Sequence, residues 1–364
     1  MTDVHDIEAI LAIANTDPDE VLHSVASDAG ALFTWDYAKG ARPQLETLYE
    51  KAKTGQWNGS TDLDWSIDVD PERTAVELGA RDGRMKYVRA IMDEKGSPVA
   101  HWGEKEFNQY AVENFAHRAS QFLHGEQGAL LCTARIVETV PWIDAKYYAS
   151  TQVMDEARHV EVFARYLDTK LDGHYPVNAN LQLLINDVLG DSRWDMTYMG
   201  MQIMIEGLAL AAFGFMHHVT QEPLLKQLLR YVMSDEARHV AFGVLSLQEY
   251  YQGLSAAELR ERQEFAFEAA IRMRDRLMMQ AVWERMGIDR RTITETMFRL
   301  RSEGGNPFQA ALFSKIVPNC KKLGLLDAGD GWLRDRFTEI GVIEYEDAMD
   351  TGEEYELLDL AAGS

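Results

Sequence analysis

The sequence predicts an all-α protein, a four-helix bundle with additional N- and C-terminal helices. Three observations carry this expectation. Apolar residues recur at helical spacing along the chain, and strand-like alternation is scarce. Proline and glycine mark the breaks between periodic segments. The middle of the chain also repeats: DEARHV stands at 155–160 and again at 235–240. With 364 residues, 46% of them hydrophobic, the chain has enough length and apolar material for a sizeable core.

The elements follow in order. Residues 1 to about 37 read as a short helix and a loop, and a polar helix follows around Arg42–Gln56. An Asp-rich irregular loop fills Asn58–Glu72, and one more helix is expected within 73–97. Together these form an N-terminal part, 1–103, that covers the bundle. The core spans 104–251. Its first helix runs from Glu104 to about Thr139 and stops before Pro141. The second covers Trp142–Leu171 and the third Leu181–Val219, with a break near Gly190. The fourth begins at Pro223 and reaches Tyr251. Residues 252–364 add a helix over Ala256–Met286, shorter helices and an acidic tail, EYEDAMDTGEEYELLDL. The three parts are read as one continuous domain.

Thr197–Met216 is apolar and long enough to raise the question of a membrane span. Gln202 and Glu206 near its middle are costly in lipid, and no Lys/Arg cluster flanks it, so a buried helix is expected. A net charge of -23 argues against nucleic acid or an anionic membrane as a partner. Two cysteines, Cys132 and Cys320, exclude a disulfide scaffold and an internal four-cysteine iron–sulfur cluster. With no secretory signal at the N-terminus, a cytoplasmic location is expected.

The repeat extends beyond DEARHV. Thirty residues before Glu156 and Glu236 stand Glu126 and Glu206, and Ala129/Ala209 and Leu130/Leu210 match without a gap. Each half therefore reads as a helix with a lone Glu, a turn marked by proline, then a helix with Glu-x-x-His. Each glutamate sits on an apolar stripe. Phe115, Ala119, Phe122, Ala129, Leu130, Ala134 and Val137 share the face of Glu126; Met199, Ile203, Ala209, Leu210 and Phe213 share that of Glu206. Glu156 and His159 lie with Val153, Val160 and Phe163, and Glu236 and His239 with Met233 and Val240.

Four carboxylates converging in one apolar interior repel one another unless cations neutralise them. Two divalent ions would balance four negative charges, and the i, i+3 spacing lets Glu and His ligate together. Four carboxylates and two imidazoles without thiolate suit iron or manganese better than copper or structural zinc. One Glu-x-x-His on a helix is usually a solvated surface pair. Two identical strings, each with a Glu thirty residues upstream, argue for Glu126, Glu156, His159, Glu206, Glu236 and His239 as metal ligands.

These residues resemble the di-iron carboxylate oxygenases and oxidases of the ferritin-like, ribonucleotide-reductase-like superfamily, over about residues 104–251. The resemblance implies that one metal takes Glu126, Glu156 and His159 and the other Glu206, Glu236 and His239, with Glu156 and Glu236 bridging. It also pairs Asp155 with His239 and Asp235 with His159, and Arg158 and Arg238 would neutralise those outer carboxylates. It further implies two iron ions, with manganese or a mixed Mn/Fe pair as alternatives, and dioxygen as co-substrate. Electrons would come from a separate reductase or ferredoxin, since the chain shows no flavin or iron–sulfur site. Homodimerisation is a family-level expectation.

Three departures narrow the resemblance. Phe163 stands where a tyrosyl-radical subunit has tyrosine, Leu210 where the multicomponent monooxygenases have threonine, and Val232 where the aminobenzoate-type N-oxygenases have an extra histidine. The expected activity is oxygenation of a small aromatic or acyl substrate. A desaturase or oxidase is the alternative, and a ferroxidase or metal-binding protein without organic substrate is a further one. Phe122, Leu130, Phe163, Leu210 and Phe213 flank the ligands and are the expected pocket wall. Tyr148 and Tyr198 would line the cavity or, more simply, pack in the core. His101, His117, His124, His174, His217 and His218 read as ordinary core or surface histidines.

Overall fold

A computed structural model of the chain describes residues 6–14, 28, 30–32, 40–81, 83–171, 173–301 and 307–350. Among the described residues every regular element is a helix. Most of the acidic tail, from residue 351, lies outside them, as does much of the expected N-terminal loop.

Helix α1 (Ile7–Ala14) is followed by α2 (Pro43–Thr54), which starts on a proline already set for the first helical turn. The single helix expected within 73–97 is instead two, α3 (Pro71–Arg81) and α4 (Arg84–Asp93). Gly83 separates them at φ 78°, a conformation that glycine enters at little cost.

The bundle begins with α5 (Glu104–Thr139), whose first turn is closed by Glu106 accepting the Gly103 N–H at 2.9 Å. The chain turns through Pro141 into α6 (Ile143–Tyr166), which ends in a π-helical turn over Leu167–Leu171. The Asn178 side chain caps α7 (Ala179–Gly190) by accepting from the Asn180 N–H. The expected break follows at 191–193.

Helix α8 (Trp194–Tyr198) then runs through a π-helical segment, Met199–Ile205, into α9 (Glu206–Val219). This combined rod is long and apolar enough to cross a membrane, but 78% of its most apolar window is buried inside the protein. It is thus a core helix, which accounts for its being hydrophobic all round. Glu222 caps α10 (Pro223–Tyr251), accepting from the Leu224 and Leu225 N–H groups.

The C-terminal helix expected over Ala256–Met286 is interrupted. Helix α11 (Ala256–Asp275) gives way to a 3₁₀ turn at Arg276–Met278, then to Met279 at φ 52°, then to α12 (Gln280–Arg285). Helices α13 (Arg290–Arg301), α14 (Pro307–Lys322) and α15 (Trp332–Glu339) complete the set.

Helices α5, α6, α10 and the α8–α9 rod form the bundle. Phe122 meets Phe213 edge-on at 4.8 Å, four residues before one lone glutamate and seven after the other, so α5 and α9 run antiparallel here. Close approach of α10 to the π segment depends on Gly243, since a Cβ there would lie 2.4 Å from Gln202 Cβ. The C-terminal end of α2 and residues 55–57 lie over α6 and α10 and cover the outer side of the polar cluster described next.

Candidate metal centre

Each of the four bundle helices delivers carboxylate to one point. Glu156, His159, Glu236 and His239 are 0% exposed, and Glu126 and Glu206 nearly as buried. His159 Nδ1 stands 3.3 Å from Glu126, 3.5 Å from Glu156 and 3.2 Å from Glu236. His239 Nδ1 stands 3.2 Å from Glu156, 3.8 Å from Glu206 and 3.4 Å from Glu236. Two donor groups result, one at each histidine, with Glu156 and Glu236 facing both. The i, i+3 spacing on α6 and α10 aims each Glu-His pair inward together.

The far side of each imidazole is tied down. His159 Nε2 lies 3.1 Å from Asp235, and His239 Nε2 lies 3.3 Å from Asp155. A carboxylate at Nε2 keeps the proton there and leaves the Nδ1 lone pair for the cluster. Arg158 bridges Asp155 at 2.5 Å and Asp235 at 2.9 Å, and Arg238 pairs with Asp235. The two outer aspartates therefore face two guanidinium groups, which makes this array self-neutralising. The inner four carboxylates have no such partners.

Buried atoms in the inner cluster are orphaned accordingly. Among the described residues, Glu156 Oε2, Glu206 Oε2, both Glu236 oxygens and His239 Nδ1 find no hydrogen-bond partner. Orphaned buried carboxylate oxygens each cost on the order of 1–3 kcal/mol, more when charged, so the cluster requires a further partner. Proton affinities express the same strain. Burial, then Glu236, pushes the Glu126 carboxyl up to about 8, and burial with Glu156 raises that of Glu206. Burial alone would depress His159, but the carboxylates of Asp235, Glu126, Glu156 and Glu236 around its ring raise it well above the usual imidazole range. An all-oxygen and imidazole donor set with open ligand positions fits two hard-to-intermediate divalent ions such as iron or manganese. Two overlapping donor groups have the mutual spacing a metal ion requires: Glu126, Glu156, His159 and Glu236; and Glu156, Glu206 and His239.

Several residues at this site were not evident from sequence. Gln152 donates from one nitrogen to Glu156 Oε1 and Glu206 Oε1, both at 2.9 Å. The repeat hides it, because its counterpart eighty residues on is Val232. Trp57 Nε1 donates to Asp235 at 2.8 Å, and Gln56 donates to Asp155 at 2.8 Å while accepting from Arg158. Both lie 99 or more positions away in sequence from those partners. No local pattern marks such distant contacts.

No protein-family model and no curated protein matches the chain. Solved structures of R2-like ligand-binding oxidases are similar to it. A mutant with an anaerobically reconstituted Mn/Fe cofactor is 17% identical, with 79% of this chain and 95% of that one covered at a TM-score of 0.45. A second, with an aerobically reconstituted metal cofactor after photoconversion, is 16% identical, covering 88% and 95% at a TM-score of 0.41.

A narrow cavity of about 60 Å³ reaches the cluster at Glu126, Glu206 and Glu236. Its wall differs from the expected one. Of the five expected residues only Phe122 lines it; Gly125, Ala129, Ala209 and Ala212 supply the space. Phe163 and Phe213 stack on each other and pack against Phe122 behind the wall, Leu210 is buried elsewhere and Leu130 is half-buried. Helix rotation explains the difference. At 100° per residue, positions i+3 and i−4 lie about 40–60° to one side of a ligand glutamate and i+4 lies about 40° to the other. The cavity takes the first side, where both halves carry alanine at i+3. Tyr148 and Tyr198 pack on Phe242 at 4.4 and 5.0 Å and do not line it. His117 does line it, against expectation.

Proposed function

We propose that the protein is a dimetal oxidoreductase that activates dioxygen and oxygenates a small organic substrate. One observation carries this reading: an apolar cavity ends on three of the six carboxylate and imidazole ligands. A protein that only stored or oxidised metal would need no such space beside its ions.

Glu126, Glu156 and His159 would hold one ion, Glu206, Glu236 and His239 the other, with Glu156 and Glu236 between them. Iron, manganese or a mixed pair satisfies these donors. When bound, redox-active ions there supply the reduction of dioxygen and the oxidising power for attack on the substrate. The chain's residues supply the rest. Gln152 fixes one oxygen each of Glu156 and Glu206. Asp155 and Asp235 hold the Nε2 protons and orient both rings. Phe122, Ala129, Ala209 and Ala212 exclude water and keep substrate beside Glu126. With two buried cysteines and no dinucleotide fingerprint, the chain relies on a separate reductase or ferredoxin for electrons.

The test is turnover under ¹⁸O₂ with iron-loaded protein and a chemical or enzymatic reductant. Label in the organic product supports oxygenation. Label only in water with a desaturated product would replace it with the desaturase reading, which the same cavity serves. Oxygen consumption that no organic compound affects would leave a ferroxidase.

A further inference from the structure

The cavity has two chemically different ends. One is the carboxylate cluster. The other lies nine residues back along α5, at His117, ~14 Å away along the axis at 1.5 Å per residue. Met216, ten residues past Glu206 on the antiparallel α9, lies at the same end. Here the break between α11 and α12 brings in Arg276 and Met279. Met279 holds its φ of 52° beside the wall, and its sulfur receives the Asn114 amide at 2.8 Å. A non-glycine residue in that conformation is strained and persists where surroundings enforce it. The consequence is that the 3₁₀ turn, and Arg276 with it, faces the cavity.

Arg276 has no carboxylate partner among the described residues; its one hydrogen bond goes to the Met273 sulfur at 3.5 Å. That sets it apart from Arg158, Arg238 and Arg262, each buried against aspartate. Burial pushes its guanidinium down to about 10, so it remains charged at neutral pH. Beside it, burial together with the charges of Arg276 and Arg285 pushes His117 down to about 3, so that ring is neutral; its Nδ1 has no partner among the described residues. A half-buried guanidinium without a carboxylate partner, beside a free imidazole nitrogen, is built for an anion, most simply a bidentate carboxylate. In the metal-free protein the opposite end is rich in negative charge and disfavours one. Between the ends Phe122, Gly125, Ala129, Ala209 and Ala212 line the cavity, and Arg118 and Gln121 line it near His117.

We propose that the cavity binds a slender organic acid with its carboxylate at Arg276 and its uncharged end directed at Glu126 and Glu206. This rests on the oxygenase reading above and makes Arg276 the residue that sets substrate class and orientation. The carboxylate is held away from the ions, and the far end of the chain is what meets them.

Calorimetric titration of octanoate and 1-octanol into metal-free and Mn(II)-loaded protein tests this, with metal content measured on each sample. Octanoate is expected to bind both forms at least tenfold more tightly than octanol. Arg276→Met should lose that preference with its metal content unchanged, and Arg276→Lys should keep most of it. Equal affinity for the two probes in the wild type overturns the proposal, as does undiminished octanoate binding in Arg276→Met. Octanoate binding only after metal loading also overturns it, because the acid would then sit on the ions. If Arg276→Met fails to fold, the wild-type comparison and Arg276→Lys still decide. A chain that prefers octanoate but holds no metal would keep this subsite and sink the oxygenase reading.

Discussion

Asp235→Asn probes how far the outer array controls the inner one. Asp235 is about 1% exposed and receives Trp57 Nε1 at 2.8 Å, Arg158 at 2.9 Å, the Arg238 guanidinium and the His159 ring at 3.1 Å. Asparagine keeps the shape but removes the charge and turns an amide toward one arginine. Breaking a buried ionic array by losing one partner costs about 3–5 kcal/mol. Arg158 retains Asp155 at 2.5 Å, so the lower end, about 3 kcal/mol, is expected in the metal-free protein. The His159 ring also loses the acceptor that fixes its tautomer, which should weaken ion binding about 10–100-fold. The ion at His159 should suffer more than the ion at His239. Urea unfolding of metal-free protein gives the first number, and anaerobic competition with a chromophoric chelator gives the second. Asp155→Asn is the mirror control and should weaken the other ion. Wild-type affinity at both sites together with unchanged unfolding in Asp235→Asn would refute the reasoning.

Other consequences can be checked separately. Glu126 is raised to about 8 in the folded metal-free protein but ionises near 4.5 when unfolded. The folded state thus holds the extra proton between those values, and stability falls as pH rises through that window. Glu206, His159 and His239 are shifted in the same direction. The thermal midpoint of metal-free protein should therefore drop from pH 5 to pH 8, and metal loading should flatten that slope; a flat metal-free profile would contradict this. Gly243→Ala places a methyl 2.4 Å from Gln202 Cβ, so a loss of about 1–3 kcal/mol and weaker binding at Glu206 are expected in urea unfolding and metal titration. Ala209→Phe should fill the cavity and abolish turnover of organic substrate while both ions still bind, which elemental analysis beside the assay would show.

The bundle and its ligands were legible because they repeat. Two copies of DEARHV and two upstream glutamates mark four helices, and the structure brings all six side chains to one place. The helix ends at Thr139, Pro223 and Tyr251 were also readable, since Pro141, Pro223 and Gly253 punctuate them. What stayed hidden depends on rotation or on long-range contact. The pocket wall turns on whether the space lies at i+3 or i+4, a difference of 100° that a stripe of apolar residues does not resolve. Gln152 sits where the repeat is broken. Trp57 reaches its aspartate across 178 positions. The π segment before Glu206 and the left-handed Met279 are local departures from a continuous helical pattern, and α11 appears unbroken in sequence because its apolar period carries on through Arg276.

The most direct test of the central claim is the number of metal ions per chain after anaerobic loading with Fe(II) and removal of excess. Two ions per chain, falling to one or none in Glu206→Ala and in His159→Ala, is the predicted result. A wild-type chain that retains no iron, or whose iron content is indifferent to both substitutions, would contradict it.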